Sequence, residues 1–549
     1  MAATRLACGM KPTWAVAVAL ALLPLLAGCM QSAQEPPAPL PEARLRMVGG
    51  VRNQQVTVDP PTRQANELSV AVDPTDARNL LATGKDYTQP YAGECVWDGI
   101  YVSHDGGASW SNGNLMGSPW KARADLAAGG EPETHAQLSR FYCATDPVVA
   151  WGPDGTAYWS VMPYQCDPAS GSKTGAELLP GVGLPPGGAN DWLWTCSSMY
   201  VLASEDKGDT WTTVSEVAFG PRLQHDKQWL AVSPPLPGVP GGRVLLCWDQ
   251  DDWASGALAD DYAALTQDSD APPYPDDLVV PDQPVPTATV CATSEDRAAT
   301  WSPPAVAHTS LALPWVEFGP DGTAFMLGVN GTHVLASHSR DGLAWHAPVP
   351  VGGYTDPAST IMNGFTALNG SVFRTFALPS LAIDRSDGPS RGTLYATWMD
   401  AASGLGRTML AVSRDGGANW TSQWIHGLLL DDGNARGDQF MPAVSVGPDG
   451  TVDLSWNDRR MDPTNHLFDL YYAYSVDGGR TFSKALRVSD VASDEQYSHH
   501  QNGAIFLGDY RDLDSAAGTA HPVWVDTRNG KADVYTATIE RPSANQLAP

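Results

Sequence analysis

From Pro442 to Trp456 apolar and polar residues alternate, break at a glycine turn, and resume alternating (PAVSVGPDGTVDLSW). The same design runs from Asp146 to Val161 (DPVVAWGPDGTAYWSV). Period-two alternation marks half-buried strands, and a Gly turn between two such runs marks a hairpin. A third run follows a loop, as in GRTMLAVS (Gly406 to Ser413), then a short Gly-rich word and a fourth run. Each unit therefore predicts four antiparallel strands. First strands begin near Glu67, Asp146, Lys227, Pro314, Pro379, Pro442 and Asp509.

The short word repeats. SRDGGANW (Ser413 to Trp420) recurs as SHDGGASW (Ser103 to Trp110), SEDKGDTW (Ser204 to Trp211) and SVDGGRTF (Ser475 to Phe482). SEDRAATW (Ser294 to Trp301) lacks the Gly, and SRDGLAWH (Ser339 to His346) has its Trp one residue early. Its glycines permit positive φ in a tight turn, and its Ser and Asp can bond nearby backbone. This word is the Asp-box, and over residues 44 to 541 the chain resembles the Asp-box (BNR) repeat propellers, whose best-known members are sialidases. The fold expected is an all-β propeller of seven four-stranded blades, with six as the alternative. The seventh unit ends after ADVYTATIE (Ala532 to Glu540), one strand short. An open edge is costly, so the strand-like segment Arg44 to Val58 is expected to complete that blade and close the ring.

The ends of the chain read differently. Arg5 and Lys11 precede an apolar run from Trp14 to Leu26 and then Leu26-Ala27-Gly28-Cys29. That order reads as a secretory signal. L-A-G-C resembles a bacterial lipobox, which implies cleavage before Cys29, lipidation of its sulfur and a membrane contact through the lipid alone. Met10 is an equally good start. The expected organisation is a signal peptide (1–28), a Pro-rich tether (29–43), the propeller (44–541) and a tail (542–549). Cys95, Cys143, Cys166, Cys196, Cys247 and Cys291 form an even set in an exported chain and favour disulfides that staple long loops, with the pairing open. The net charge of −28 argues against nucleic acid and anionic membrane surfaces, and weighs against an anionic substrate without a local arginine cluster.

Strand order decides which loops share a face. The short first-hairpin turns and the Asp-boxes fall on one face. The long insertions (111–145, 162–197, 250–287 and 346–375) fall on the other, where binding usually sits. Inner strands start with acids there: Asp146, Asp226-Lys227, Asp438-Gln439 and Asp509-Tyr510. Second strands end in Trp plus acid: Trp248-Asp249, Trp398-x-Asp400, Trp456-x-Asp458 and Trp524-x-Asp526. Arg459, Arg460 and Arg528 follow two of these. The group suits either a structural ion network or a polar pocket on the axis.

The resemblance implies a chemistry to look for: three arginines gripping a carboxylate, a Tyr nucleophile paired with a Glu, and an Asp acid/base. Arg374, Arg459, Arg460 and Arg528 are the clamp candidates, Tyr510 the nucleophile, and Asp146 or Asp226 the acid. Lys227, Asp438, Gln439, Asp458, Asp509 and Asp526 would complete the binding surface. No Glu stands beside Tyr510 in sequence, and the Arg-Ile-Pro motif of many sialidases is absent. No cofactor is required, although an axial ring of carboxylates would suit Ca²⁺. The alternative is a non-catalytic propeller that holds a glycan or protein on its loop-rich face, with Trp120, Trp192, Trp194 and Trp253 available for stacking.

Overall fold

The alternating runs form seven four-stranded antiparallel sheets, blades I to VII. The computed structural model describes residues 51–57, 64–87, 96–118, 135–166, 197–220, 223–252, 288–360, 366–425, 428–429, 436–501 and 504–541. Cys29, Cys95, Cys196, Trp120, Trp192, Trp194, Trp253, the Cys166 side chain, the signal segment, the tether and the tail lie outside these residues.

The innermost strands are Ala65–Val72, Phe141–Trp151, Leu223–Val232, Ala312–Phe318, Ser380–Ile383, Gln439–Val446 and Leu513–Ala516. Each packs on the next, and the last packs back on the first. The count is therefore seven and not six. Blade VII is completed by Arg52–Gln55, antiparallel to Asp533–Glu540 with Arg52 opposite Thr538. The hydrophobic core lies between adjacent blades, where Trp97, Trp159, Trp248, Trp398, Trp456 and Trp524 are all fully buried.

The Asp-box is a frame element. In the box at Ser413 the Ser Oγ bonds Asp415 Oδ1 (2.9 Å) and accepts from Gly417 N (2.9 Å), while Trp420 Nε1 donates to Gly417 O (3.0 Å). The Ser–Asp bond recurs in all six boxes. The turn also survives in the two words that depart from the pattern, at Ser294 and Ser339. In three boxes a glycine sits tightly against the preceding blade. A Cβ on Gly208 would meet Leu81 at 2.7 Å, one on Gly342 would meet Thr293 at 2.7 Å, and one on Gly479 would meet Tyr395 at 2.9 Å.

Five inner strands carry a bulge at one equivalent position. The registers shift at Asn66/Ser69, Thr145/Val148, Asp226/Trp229, Ala312/Trp315 and Phe440/Ala443. Within them Glu67, Asp146, Lys227, Leu313 and Met441 have φ of 48 to 58°. Left-handed backbone is costly for residues with a Cβ, and bulges re-aim side chains. The strain is repeated around the ring.

Two inter-blade links reach one another. The link from blade IV to V bridges the link from VI to VII through Phe373 and Ile505, and Val372 N donates to Glu495 Oε1 (3.1 Å). Cys247 and Cys291 form a disulfide between paired strands of blade III, 44 residues apart in sequence. It clips the base of the long insertion between them. Cys143 is also disulfide-bonded.

Candidate functional site

The bulges of blades I, II and III bring Glu67, Asp146 and Lys227 into one buried cluster. Asp146 is the centre. Lys85 Nζ lies 2.8 Å from its Oδ1 and Lys227 Nζ 3.1 Å from its Oδ2. The same two ammonium groups hold Glu67, Lys85 in close contact and Lys227 at 3.3 Å. Lys227 also reaches Asp509 Oδ2 (2.7 Å) and Asp226 Oδ1 (3.8 Å). Asp509 is in turn gripped by the Arg374 fork, with Nε at 2.6 Å from Oδ1 and the second nitrogen in close contact with Oδ2. Arg374 and Lys85 both lie over the Phe506 ring, at 4.6 and 5.3 Å.

The environment splits the acids. Burial and the neighbouring Asp146 charge push Glu67 up to about 8. Burial also raises Asp226, to about 6, with the Asp146 charge outweighing part of the Lys227 attraction. For Asp146 burial acts upward too, but Lys227, Lys85 and a hydrogen bond from Glu67 hold its carboxyl well below the usual range. Asp509 is held low against burial by Arg374 and Lys227. Asp98, paired in register with Lys85, is fully buried and pushed well up, and neither of its carboxyl oxygens has a hydrogen-bond partner among the described residues. Two acids stay ionised while three take up protons readily, the separation that acid–base chemistry uses.

The cluster is closed except at its rim. The Asp226 side chain is 36% exposed and Arg374 23%, whereas Glu67, Asp146 and Asp509 are buried. Tyr510 lies beneath Lys227, which stands 5.9 Å from its ring centroid, and meets Trp229 edge-on at 5.8 Å. Its hydroxyl has no partner among the described residues, and burial, then the Asp146 and Glu67 charges, push the phenol well up. It is a neutral phenol here.

Of the residues expected from sequence, Asp146, Asp226, Lys227, Arg374, Asp509 and Tyr510 meet in this cluster. The others do not form a clamp with Arg374. Arg459 is fully buried against Glu495 and 3.8 Å from Asp438. Arg460 pairs with Asp458 (2.6 Å), which also takes Gln439 Nε2 (2.9 Å) and the Trp456 indole (2.8 Å). Arg528 pairs with Asp526 (2.8 Å) and Asp490 (2.7 Å), and the Trp524 indole donates to Asp526 (3.0 Å). The Trp-x-Asp words of blades VI and VII are thus indole locks. Arg459, Arg460 and Arg528 each pair with carboxylates outside the Asp146 cluster, so among the described residues Arg374 is the one clamp candidate found in that cluster. Nor do the axial acids form a calcium ring: lysine and arginine occupy the places a cation would take, and no group of three His, Cys, Asp or Glu in the described residues is arranged for a metal.

Glu67, Lys85 and Asp98 were missed as site residues. Glu67 gives Tyr510 the nearby Glu that its own segment lacks. The signal was present: aligned on their bulges, the first three inner strands place Glu67, Asp146 and Lys227 at one position.

Residues 388–532 match the family model described as BNR repeat-containing family member. Similar solved structures include the GH93 α-L-arabinofuranosidase of Fusarium graminearum with arabinobiose (15% identity, TM-score 0.41, covering 90% of this chain and 98% of that one). The intramolecular trans-sialidase from Ruminococcus gnavus with oseltamivir carboxylate is similar at 12% identity and TM-score 0.37, over 88% and 96% of the two chains. A Hadza microbial sialidase is similar at 13% identity and TM-score 0.39, over 83% and 76%. No curated protein sequence matches the chain. Six Asp-boxes and seven four-stranded blades make the chain an Asp-box β-propeller by fold, with residues 388–532 similar to the BNR repeat-containing family.

Proposed function

We propose that the protein is an exo-acting glycoside hydrolase whose active site is the cluster around Asp146, and that it is exported and lipid-anchored through Cys29. One observation carries the catalytic reading. Asp226, the carboxyl open at the rim, is raised to about 6 beside carboxylates that lysine and arginine keep ionised. Glycosidic cleavage needs such a pair: a carboxyl that hands a proton to the leaving oxygen, and a carboxylate that offsets the positive charge developing on the sugar, while water adds to the anomeric carbon and returns a proton to the carboxyl. Asp226 is assigned the proton and Asp146, with Asp509, the negative charge. Lys227 fixes their mutual placement. The sialidase form of this reading has less support, because among the described residues Arg459, Arg460 and Arg528 pair away from Arg374.

The test is turnover on a panel of aryl glycosides, an aryl α-sialoside among them, with Asp226→Asn as the paired variant. The expected result is release from at least one substrate and a loss of about 10²-fold or more in kcat with little change in KM. Equal rates for the two proteins would remove Asp226 from the mechanism. A silent panel with retained glycan capture would indicate the non-catalytic binding propeller instead.

A further inference from the structure

We infer that the pocket takes an uncharged sugar and excludes carboxylated ones such as uronic and sialic acids. This rests on the site assignment above and deepens it. A sugar carboxylate needs a cation with a free face, and among the described residues the cluster's cations are each committed to carboxylates. Arg374 Nε and Nη2 are both spent on Asp509. Lys227 is shared among Glu67, Asp146, Asp226 and Asp509, and Lys85 between Glu67 and Asp146. Arg459, Arg460 and Arg528 each hold carboxylates of their own.

An incoming carboxylate would have to unseat Asp509 from Arg374 and leave it buried beside Asp146 with only Lys227, already shared among four carboxylates, to hold it. Removing one member of a buried pair is far worse than never having formed it. The chain as a whole adds repulsion, with a net charge of −28. Sugar hydroxyls face no such barrier. They exchange hydrogen bonds with the rim carboxyl of Asp226, whose side chain is 36% exposed, so charge-neutral recognition leaves every ion pair intact.

Matched probes decide this. Aryl β-glucoside is compared with aryl β-glucuronide, aryl β-galactoside with its galacturonide, and aryl α-sialoside with its methyl ester. The full chain is also applied to a glycan array holding neutral, uronic and sialylated members. Wild type is expected to favour the uncharged partner at least tenfold in kcat/KM and to bind neutral glycans on the array. Asp509→Asn, which releases Arg374, is expected to narrow that preference. A preference for carboxylated partners in either readout overturns the inference. Neutral binding without any turnover overturns the hydrolase assignment alone. Binding and turnover of nothing overturn both.

Discussion

At position 298 an alanine stands where four other boxes place a glycine, with φ of 62° and no exposed surface. The preceding Arg297 is also left-handed. The box tolerates this because the Ser294 and Asp296 bonds define the turn, so glycine is a convenience of backbone and space. The space differs from box to box. Gly208→Ala adds strain at φ 94° and a 2.7 Å approach to Leu81, and is expected to cost about 1–3 kcal/mol. Gly416→Ala meets nothing within 4 Å and should cost about 1 kcal/mol, the backbone term alone. Denaturant unfolding of the two variants measures the difference, and equal losses would remove the packing argument. The arginines divide in the same way. Arg459→Ala strands buried Glu495 and should destabilise by about 3–5 kcal/mol. Arg528→Ala should leave turnover within about twofold, since its partners lie in blade VII and the link before it. A loss of activity in Arg528→Ala without a loss of stability would return that residue to the site.

Among elements, the strand Arg52–Gln55 and the disulfide of blade III do comparable work by different means. The strand covers the edge of Asp533–Glu540. Deleting residues up to Gln55 should expose that edge and increase aggregation relative to a chain that starts at Arg44, read by light scattering. Unchanged scattering would mean the ring closes without the strand. The Cys247–Cys291 bond closes a 44-residue separation, and replacing both residues by serine should cost about 2–4 kcal/mol. These elements were legible because their signals are local. Alternation, a Gly turn and a repeated word announce each blade, and a missing fourth strand announces its replacement. The site is legible only in part. Inner-strand acids pointed to Asp146, Asp226 and Asp509. The pairing of Arg374 with Asp509, 135 residues on, depends on two links meeting, and no local pattern carries that. The Trp-x-Asp words of blades VI and VII carry a local meaning as well, since each indole donates to the Asp two residues on within its own strand.

Over the whole molecule, buried carboxyls make stability depend on pH in a direction that can be signed. Burial first, and neighbouring negative charge second, raises Glu67 from 4.5 to about 8, and burial raises Asp512 from 3.8 to about 7 and Glu317 from 4.5 to about 7. Each binds its proton more tightly folded than unfolded. Their contribution is complete below the unfolded values and is lost as pH rises through the folded ones. His225, His499 and His521 act oppositely, because burial lowers them from 6.5 to about 4. They take stability away as pH falls below 6.5 and contribute no slope above it. Asp146 and Asp509, held low, matter only in acid. Between pH 6.5 and 8.5 the carboxyls therefore act with little opposition, and a net charge of −28 adds self-repulsion in the same sense. Tm should fall across that interval, and Glu67→Gln, which keeps a polar group of the same shape without the titration, should flatten the fall. Calorimetry at matched ionic strength checks both. A Tm that is level or rising from pH 6.5 to 8.5 would mean that these carboxyls are already ionised in the folded protein. The lysines would then be holding three charges around Asp146, and the acid–base division assigned to Asp226 would lose its basis.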